Sequence, residues 1–164
     1  VIFGATGGVM EAALRTVKDI LEQKENKEVD ITPVRGLDDI KEATMTIAGK
    51  ELTVAVVHGA VHMPEMLKRV KENPGKYAFI EFMGCTGGCV NGGGQPIKSA
   101  YERNNYDIKA LRAGAIYDAD KSATLRKSHE NPIVKEIYET YLGEPNSHKA
   151  HEILHTKYVA RKKY

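Results

Sequence analysis

The chain has 164 residues, 24 basic and 22 acidic, with the charges interspersed and a net charge of +2 at pH 7. A chain of this length fits one domain with a real core, since roughly two-thirds of the unfolded surface is buried at this size. No basic stripe points to nucleic acid, and the longest apolar runs, such as 52–57 (LTVAVV), are far too short to cross a bilayer, so neither kind of partner is expected.

No charged start followed by an apolar stretch marks a signal peptide, and the expected location is cytoplasmic. In that reducing setting, close-spaced thiols more often bind metal or carry redox chemistry than form a disulfide. The chain opens Val1-Ile2-Phe3-Gly4, without an initiator methionine or a polar lead-in, and is expected to be part of something longer.

In chain order, Val1-Ile2-Phe3 reads as a strand end running into the glycine turn Gly4-Ala5-Thr6-Gly7-Gly8. Met10, Ala13, Leu14, Val17, Ile20 and Leu21 then recur at helical spacing. This helix gives out in the charged stretch 22–28, and 29–36 (VDITPVRG) reads as a short extended segment interrupted by Pro33. Residues 43–48 and 51–57, on either side of Gly49-Lys50, form a hairpin whose second arm is β-rich enough for a central strand. Pro64 opens a helix through Met66, Leu67 and Val70, closed by Asn73-Pro74-Gly75, and 77–82 (YAFIEF) supplies another apolar strand. Downstream the chain turns helical over 98–112. A further helix follows the cap Asn131 and Pro132 and presents Ile133, Val134, Ile137, Tyr138 and Tyr141, and a last one starts near Ser147. No repeat, low-complexity tract or linker divides the chain. The expected fold is α/β: a single domain over 1–164 with a small, mostly parallel sheet flanked by helices and a helical carboxy-terminal portion. Both glycine-rich loops follow strands and should meet at one end, where ligands collect in such sheets.

The first loop, Gly4-Ala5-Thr6-Gly7, resembles half of a dinucleotide-binding turn. Met10 stands where the third glycine belongs, the acidic candidates Glu25 and Glu28 sit in a helix tail, and no GK[ST] ending marks a phosphate loop. The plainer reading is a tight turn that lets the helix lie near the sheet. A further option is that backbone N–H groups at this helix start approach an anionic ligand.

The second loop, 82–96 (FMGCTGGCVNGGGQP), holds both cysteines and Gly84, Gly87, Gly88, Gly92, Gly93 and Gly94. Cys85-x-x-x-Cys89 is not the two-residue spacing of zinc ribbons or thioredoxin-like pairs, and two thiols cannot complete a four-thiolate iron–sulfur site. The missing ligands must come from another chain or from sequence beyond this one. Two buried or idle thiols are the plain alternative, but apolar burial has no need of so many glycines. Glycine at this density lets backbone approach something bulky and leaves amides free to bond its sulfurs, which suits a cluster better than one zinc ion. The histidines carry a weaker signal. His148 and His151 lie at i, i+3 on a helix without an HExxH signature and read as capping or surface hydrogen-bonding groups, while His58 and His62 read as structural.

The run Glu81 to Pro96, EFMGCTGGCVNGGGQP, resembles the third signature of the iron-only (FeFe) hydrogenases, E-x-M-x-C-x-G-G-C-x-x-G-G-G-Q-P. The stretches 3–13 (FGATGGVMEAA), 126–132 (RKSHENP), 145–151 (PNSHKAH) and 154–156 (LHT) agree with the same family. The resemblance covers essentially the whole chain, as the carboxy-terminal part of the family's catalytic domain, whose amino-terminal half is absent here. It implies a domain that holds the H-cluster, a four-iron cubane joined through a cysteine sulfur to a two-iron unit. Under that resemblance Cys85 ligates the cubane, and Cys89 ligates it and bridges to the two-iron unit. Gly87 and Gly88 then frame the cofactor, Met83 lines the two-iron pocket, and Phe3 and Gly4 pack near its diatomic ligands. The implied reaction interconverts dihydrogen with two protons and two electrons, with ferredoxin or an NAD(P)-linked protein as electron partner.

The family's T-S-C-C-P and M-P-C-x-x-K signatures are missing, and with them two cluster cysteines, the proton-relay cysteine and a lysine. Thr86 also replaces a common proline. The chain alone is therefore expected to bind no intact H-cluster and to turn over no hydrogen. Two alternatives share the resemblance: a Narf- or Nar-like protein of iron–sulfur assembly, whose third signature lacks the double glycine kept here as Gly87-Gly88, and a sensory hydrogenase-like module.

Overall fold

The computed structural model of the chain describes residues 1–162, so the last two positions of the expected 1–164 span lie outside the described residues. Two compact units divide the chain after Arg126.

The first unit is built on a three-stranded sheet of order β1-β2-β3, with β1 at Ile40–Ile47, β2 at Lys50–His58 and β3 at Tyr77–Met83. Ala48 and Gly49 join β1 to β2 with φ of 51° and 74°, the doubly left-handed turn that matches the twist of an antiparallel hairpin. β2 and β3 run parallel, connected through helix α2, Met63–Glu72. The sheet is thus mixed, one antiparallel and one parallel pair, and not mostly parallel. The reason is the hairpin itself, since a two-residue turn can join only antiparallel strands.

The apolar run in β2 is explained by burial on both faces. Val54 and Val56 pack with Ala43 and Ile47 of β1, Val34, and Met10 and Leu14 of helix α1, Gly8–Glu22. Ala55 and Val57 point the other way, onto Met66 of α2. Helices therefore cover both faces. Ile20 and Leu21, which fit the same periodicity in α1, lie beyond the sheet and are exposed.

Three local expectations change. Residues 2–4 form a single 3₁₀ turn closed by Ala5 N–H to Ile2 O, because no strand lies alongside to pair with them. Thr32–Val34 is likewise a 3₁₀ turn, with Pro33 setting its φ. The expected helix over 98–112 is two: α3, Ala100–Asn105, and α4, Ile108–Ser122. Asp107 breaks them, its carboxylate accepting the N–H groups of Lys109 and Ala110, while Ser99 and Glu102 form a capping box on α3.

A closed ring of alternating charge locks α1 to α4 and to the chain between α1 and β1. Glu11 accepts from Arg15 at 2.8 Å and from Arg35 at 2.6 Å. Arg15 reaches Asp120 at 2.9 Å, Asp120 accepts from Arg126 at 2.7 Å, and Asp30 closes the circuit between Arg126 and Arg35. Glu11, Arg15 and Asp120 are almost wholly buried. Burial pushes the Asp120 carboxyl up, but its hydrogen bonds to Arg15 and Arg126 outweigh this and hold it below the usual carboxylate range.

The second unit contains α5, Pro132–Ile137, extended by a π turn, Tyr138–Leu142, and α6, His148–Leu154. Asn131 caps α5, and Ser147 caps α6 while donating its hydroxyl to Leu142 O at 2.6 Å. Ile133, Ile137 and Tyr141, expected as an apolar face, are exposed.

An Asp120→Asn substitution leaves Arg15 and Arg126 buried without their shared anion. It should lower the free energy of urea unfolding by about 3–5 kcal/mol, as expected for breaking a buried ion pair. A change within error would show that the ring contributes nothing to stability.

Candidate metal centre

The parallel pairing of β2 with β3 continues past both strands, as Gly59 N–H donates to Met83 O at 2.9 Å and Ala60 N–H to Gly84 O at 3.1 Å. The cysteine loop therefore leaves the carboxyl ends of two adjacent strands. It is a chain of tight turns, with Gly88 N–H to Cys85 O and Gly92 N–H to Cys89 O, both at 3.0 Å. Cys85 and Cys89 are free thiols and both are exposed.

The two glycine loops meet, as expected. Thr6 N–H donates to Gly87 O at 3.1 Å. A β-carbon on Gly88, where φ is 94°, would lie 2.8 Å from Gly4 O and from Thr6 N and 3.0 Å from the Met83 sulfur. Only glycine admits that approach. Met83, Gly4 and Gly88 thus converge directly behind the cysteine turn, while the neighbouring Phe3 is half exposed.

What holds the loops together is Glu81, almost wholly buried on β3. Its two carboxylate oxygens accept the Gly7 and Met10 N–H groups, each at 2.7 Å, at the start of α1. The helix N-terminus does bind an anion, and the anion is the protein's own. Sequence reasoning missed this partner, whose only trace is an acid inside an apolar strand.

His58, at the end of β2, is the second brace. Its Nδ1 accepts Gly87 N–H at 3.1 Å, so the proton sits on Nε2, which donates to Leu37 O at 3.1 Å. Burial holds its pKa below the usual imidazole value. The structural role read from sequence stands, with Gly87 as its object. Arg112 of α4 ties down the far end of the loop by donating to Val90 O and Pro96 O at 2.9 and 2.6 Å. The amides of Gly87, Gly88 and Gly92 are engaged inside the protein, whereas among the described residues those of Gly93 and Gly94 have no hydrogen-bond partner.

The donor set supplies part of what a cluster needs. Both thiols reach solvent, added β-carbons on Gly84, Gly93 and Gly94 meet nothing within 4 Å, and one on Gly92 would stand 3.9 Å from the Cys85 sulfur. Among the described residues no third histidine, cysteine or carboxylate closes on the two thiols. The residues present fit a cubane as two of its four ligands, with open space on the ligand side.

The family model for the iron only hydrogenase large subunit, C-terminal domain, matches residues 1–93. The chain belongs to the iron-only hydrogenase family. A second hydrogenase family model, iron hydrogenase small subunit, matches residues 106–161. Iron hydrogenase 1 of Clostridium pasteurianum is 48% identical over 157 residues, 96% of this chain and 27% of that protein. The NADP-reducing hydrogenase subunit HndD of Solidesulfovibrio fructosivorans is 42% identical over 99% of this chain and 27% of its own. Among solved structures, a variant of FeFe-hydrogenase HydA1 from Chlamydomonas reinhardtii matches with a TM-score of 0.72 and 38% identity, over 98% of this chain and 46% of that one. Protein NAR1 of Arabidopsis thaliana matches at 30% identity, and proteins named as cytosolic iron–sulfur assembly factors or components at 28 to 29%. This hydrogenase-family chain therefore spans about a quarter of the length of those two curated relatives and just under half of that solved structure.

Replacing Glu81 with Gln removes the charge from the helix start and sets an amide against a backbone N–H. Unfolding stability should fall by about 2–4 kcal/mol, with the α1 start and the cysteine loop losing amide-exchange protection together. Protection lost in only one of them would refute the clasp. For His58, the folded state disfavours the proton that the unfolded chain accepts, so stability should decline as pH drops below about 6.5 toward the lowered folded value. A His58→Gln variant, less stable at pH 7.5, should show a visibly shallower decline; an unchanged slope would remove His58 as its source.

Proposed function

We propose that the chain is the carboxy-terminal lobe of the H-cluster domain of an iron-only hydrogenase, an oxidoreductase that interconverts dihydrogen with protons and electrons. The observation that carries the reading is the pair of exposed thiols on a glycine-framed turn, backed by Met83 and Gly4 and braced from behind by Glu81 and His58. Cys85 and Cys89 would be the two cysteines of this chain that hold the H-cluster. The remaining two cysteine ligands, the proton-relay cysteine and the lysine come from sequence outside this chain. When bound, the H-cluster supplies the open iron site for the reaction.

The chain's own part is positional. Glu81 and His58 fix the turn, so both sulfurs are presented from a rigid base and not from a mobile loop. Met83, Phe3 and Gly4 form the apolar wall on the two-iron side, and Gly87 and Gly88 keep the backbone thin enough for that wall to stand against the turn. The electron partner is a ferredoxin or an NAD(P)-linked protein. A cytoplasmic setting belongs to the same reading.

The iron–sulfur assembly reading is weaker. Gly87 and Gly88 hold φ of 84° and 94°, a conformation that argues for the double glycine the hydrogenase signature carries.

Infrared spectroscopy of the complete, anaerobically matured protein is the test, since iron-bound carbonyl and cyanide stretches have no mimic among protein bands. Those bands should be present, and Cys89→Ser should abolish them together with hydrogen evolution. The 164-residue chain alone, reconstituted with iron and sulfide, should evolve no hydrogen. Carbonyl-free spectra from the matured protein would overturn the reading.

A further inference from the structure

One helix face in the second unit carries four potential metal donors that the hydrogenase reading does not use. His148, His151, Glu152 and His155 stand at i, i+3, i+4 and i+7 along α6 and its C-cap, which places them on a single stripe. All four are exposed, and with Lys157 they line one concavity of about 640 Å³. The capping and hydrogen-bonding roles read from sequence do not fall to these histidines. Ser147 supplies the cap of α6, and among the described residues the three imidazoles make no side-chain hydrogen bond. The His151 and His155 rings instead lie face to face, 4.7 Å between centroids and 18° from parallel.

We propose that this stripe binds one borderline divalent transition-metal ion, of the Ni²⁺ or Zn²⁺ class, with His151 and His155 as the primary pair and His148 and Glu152 completing the site. Neutral imidazole is the preferred donor for these ions, and a histidine pair one turn apart is an established chelating spacing. Two nitrogens bound at about 2.0–2.1 Å to one tetrahedral ion stand about 3.3 Å apart. The His151 and His155 ring centroids stand 4.7 Å apart, and no three donors of the stripe lie within 4.8 Å of one another. Small rotamer changes in exposed side chains close the gap at little cost. His151 and His155 also sit at the carboxyl end of the helix, where the dipole favours a cation, and Glu152 supplies a negative charge. Lys157 opposes any cation, so the ion must be one that imidazole nitrogen binds strongly, unlike Mg²⁺ or Ca²⁺, which need oxygen donors. The site stands independently of the cluster reading.

Calorimetric titration of the complete protein with NiCl₂ tests it, using three proteins: the unaltered protein, His151→Ala/His155→Ala, and Cys85→Ser/Cys89→Ser, which removes the competing thiols of this segment. One ion should bind per chain in the first and third, and binding should be about ten-fold or more weaker in the second. His148→Ala should give a smaller loss. Circular dichroism checks that each variant keeps its helix content. The proposal is overturned if the unaltered protein binds no nickel, if the histidine double variant binds as tightly as the parent, or if the cysteine variant loses the binding.

Discussion

Glu81 is the constraint on which the site depends. A carboxylate taken out of water is costly unless every lone pair facing the interior is met, and the start of α1 meets this one with two short N–H bonds and the positive end of its dipole. The bond pins the last residues of β3 to the first turn of α1. Everything placed around the thiols follows from that fixed angle: Gly88 is pressed against Gly4 and Thr6, the Met83 sulfur is packed behind it, and Gly87 lies within reach of His58. Among the described residues neither thiol makes a hydrogen bond in this arrangement. The turn is organised from behind by protein groups alone, which leaves its front open.

The buried charge ring does a related task farther from the site. It matches three carboxylates with three guanidiniums and so carries no net charge of its own. Well-packed apolar side chains of the same volume often hold elements together as tightly as a buried ion pair does. What a ring of directed bonds adds is a fixed relation between the pieces, because each guanidinium accepts only a narrow range of partner positions. Arg112, on the same α4, then carries that relation to the carbonyls at 90 and 96.

Features that rest on neighbours in the chain were legible in the sequence, while those that rest on distant partners were not. The hairpin at Ala48-Gly49, the caps Asn131 and Ser147, the proline start of α2 and the meeting of the two glycine loops all follow from local chemistry or strand order. The break at Asp107 was hidden because Ile108 and Leu111 continue an apolar period across it, and only the capping carboxylate reveals it. Glu11 and Arg15 look like an ordinary exposed i, i+4 pair. Their partners lie up to 111 residues away, and nothing local marks them as interior. The same holds for Glu81, whose bonds span 71 and 74 residues. The glycine amides divide for a reason composition does not show: tight turns occupy those of Gly88 and Gly92, and the distant His58 takes that of Gly87.

The clasp between the glycine loops has a bearing on how small a faithful mimic of the site can be made. A short synthetic segment covering 82–96 would contain both sulfurs in their native spacing yet lack the amides at 7 and 10, the imidazole at 58 and the guanidinium at 112 that give the backbone its path. Such a peptide would sample many shapes and greet iron as a floppy dithiol. Any minimal maquette has to import the opening helix and the central strand along with the thiols.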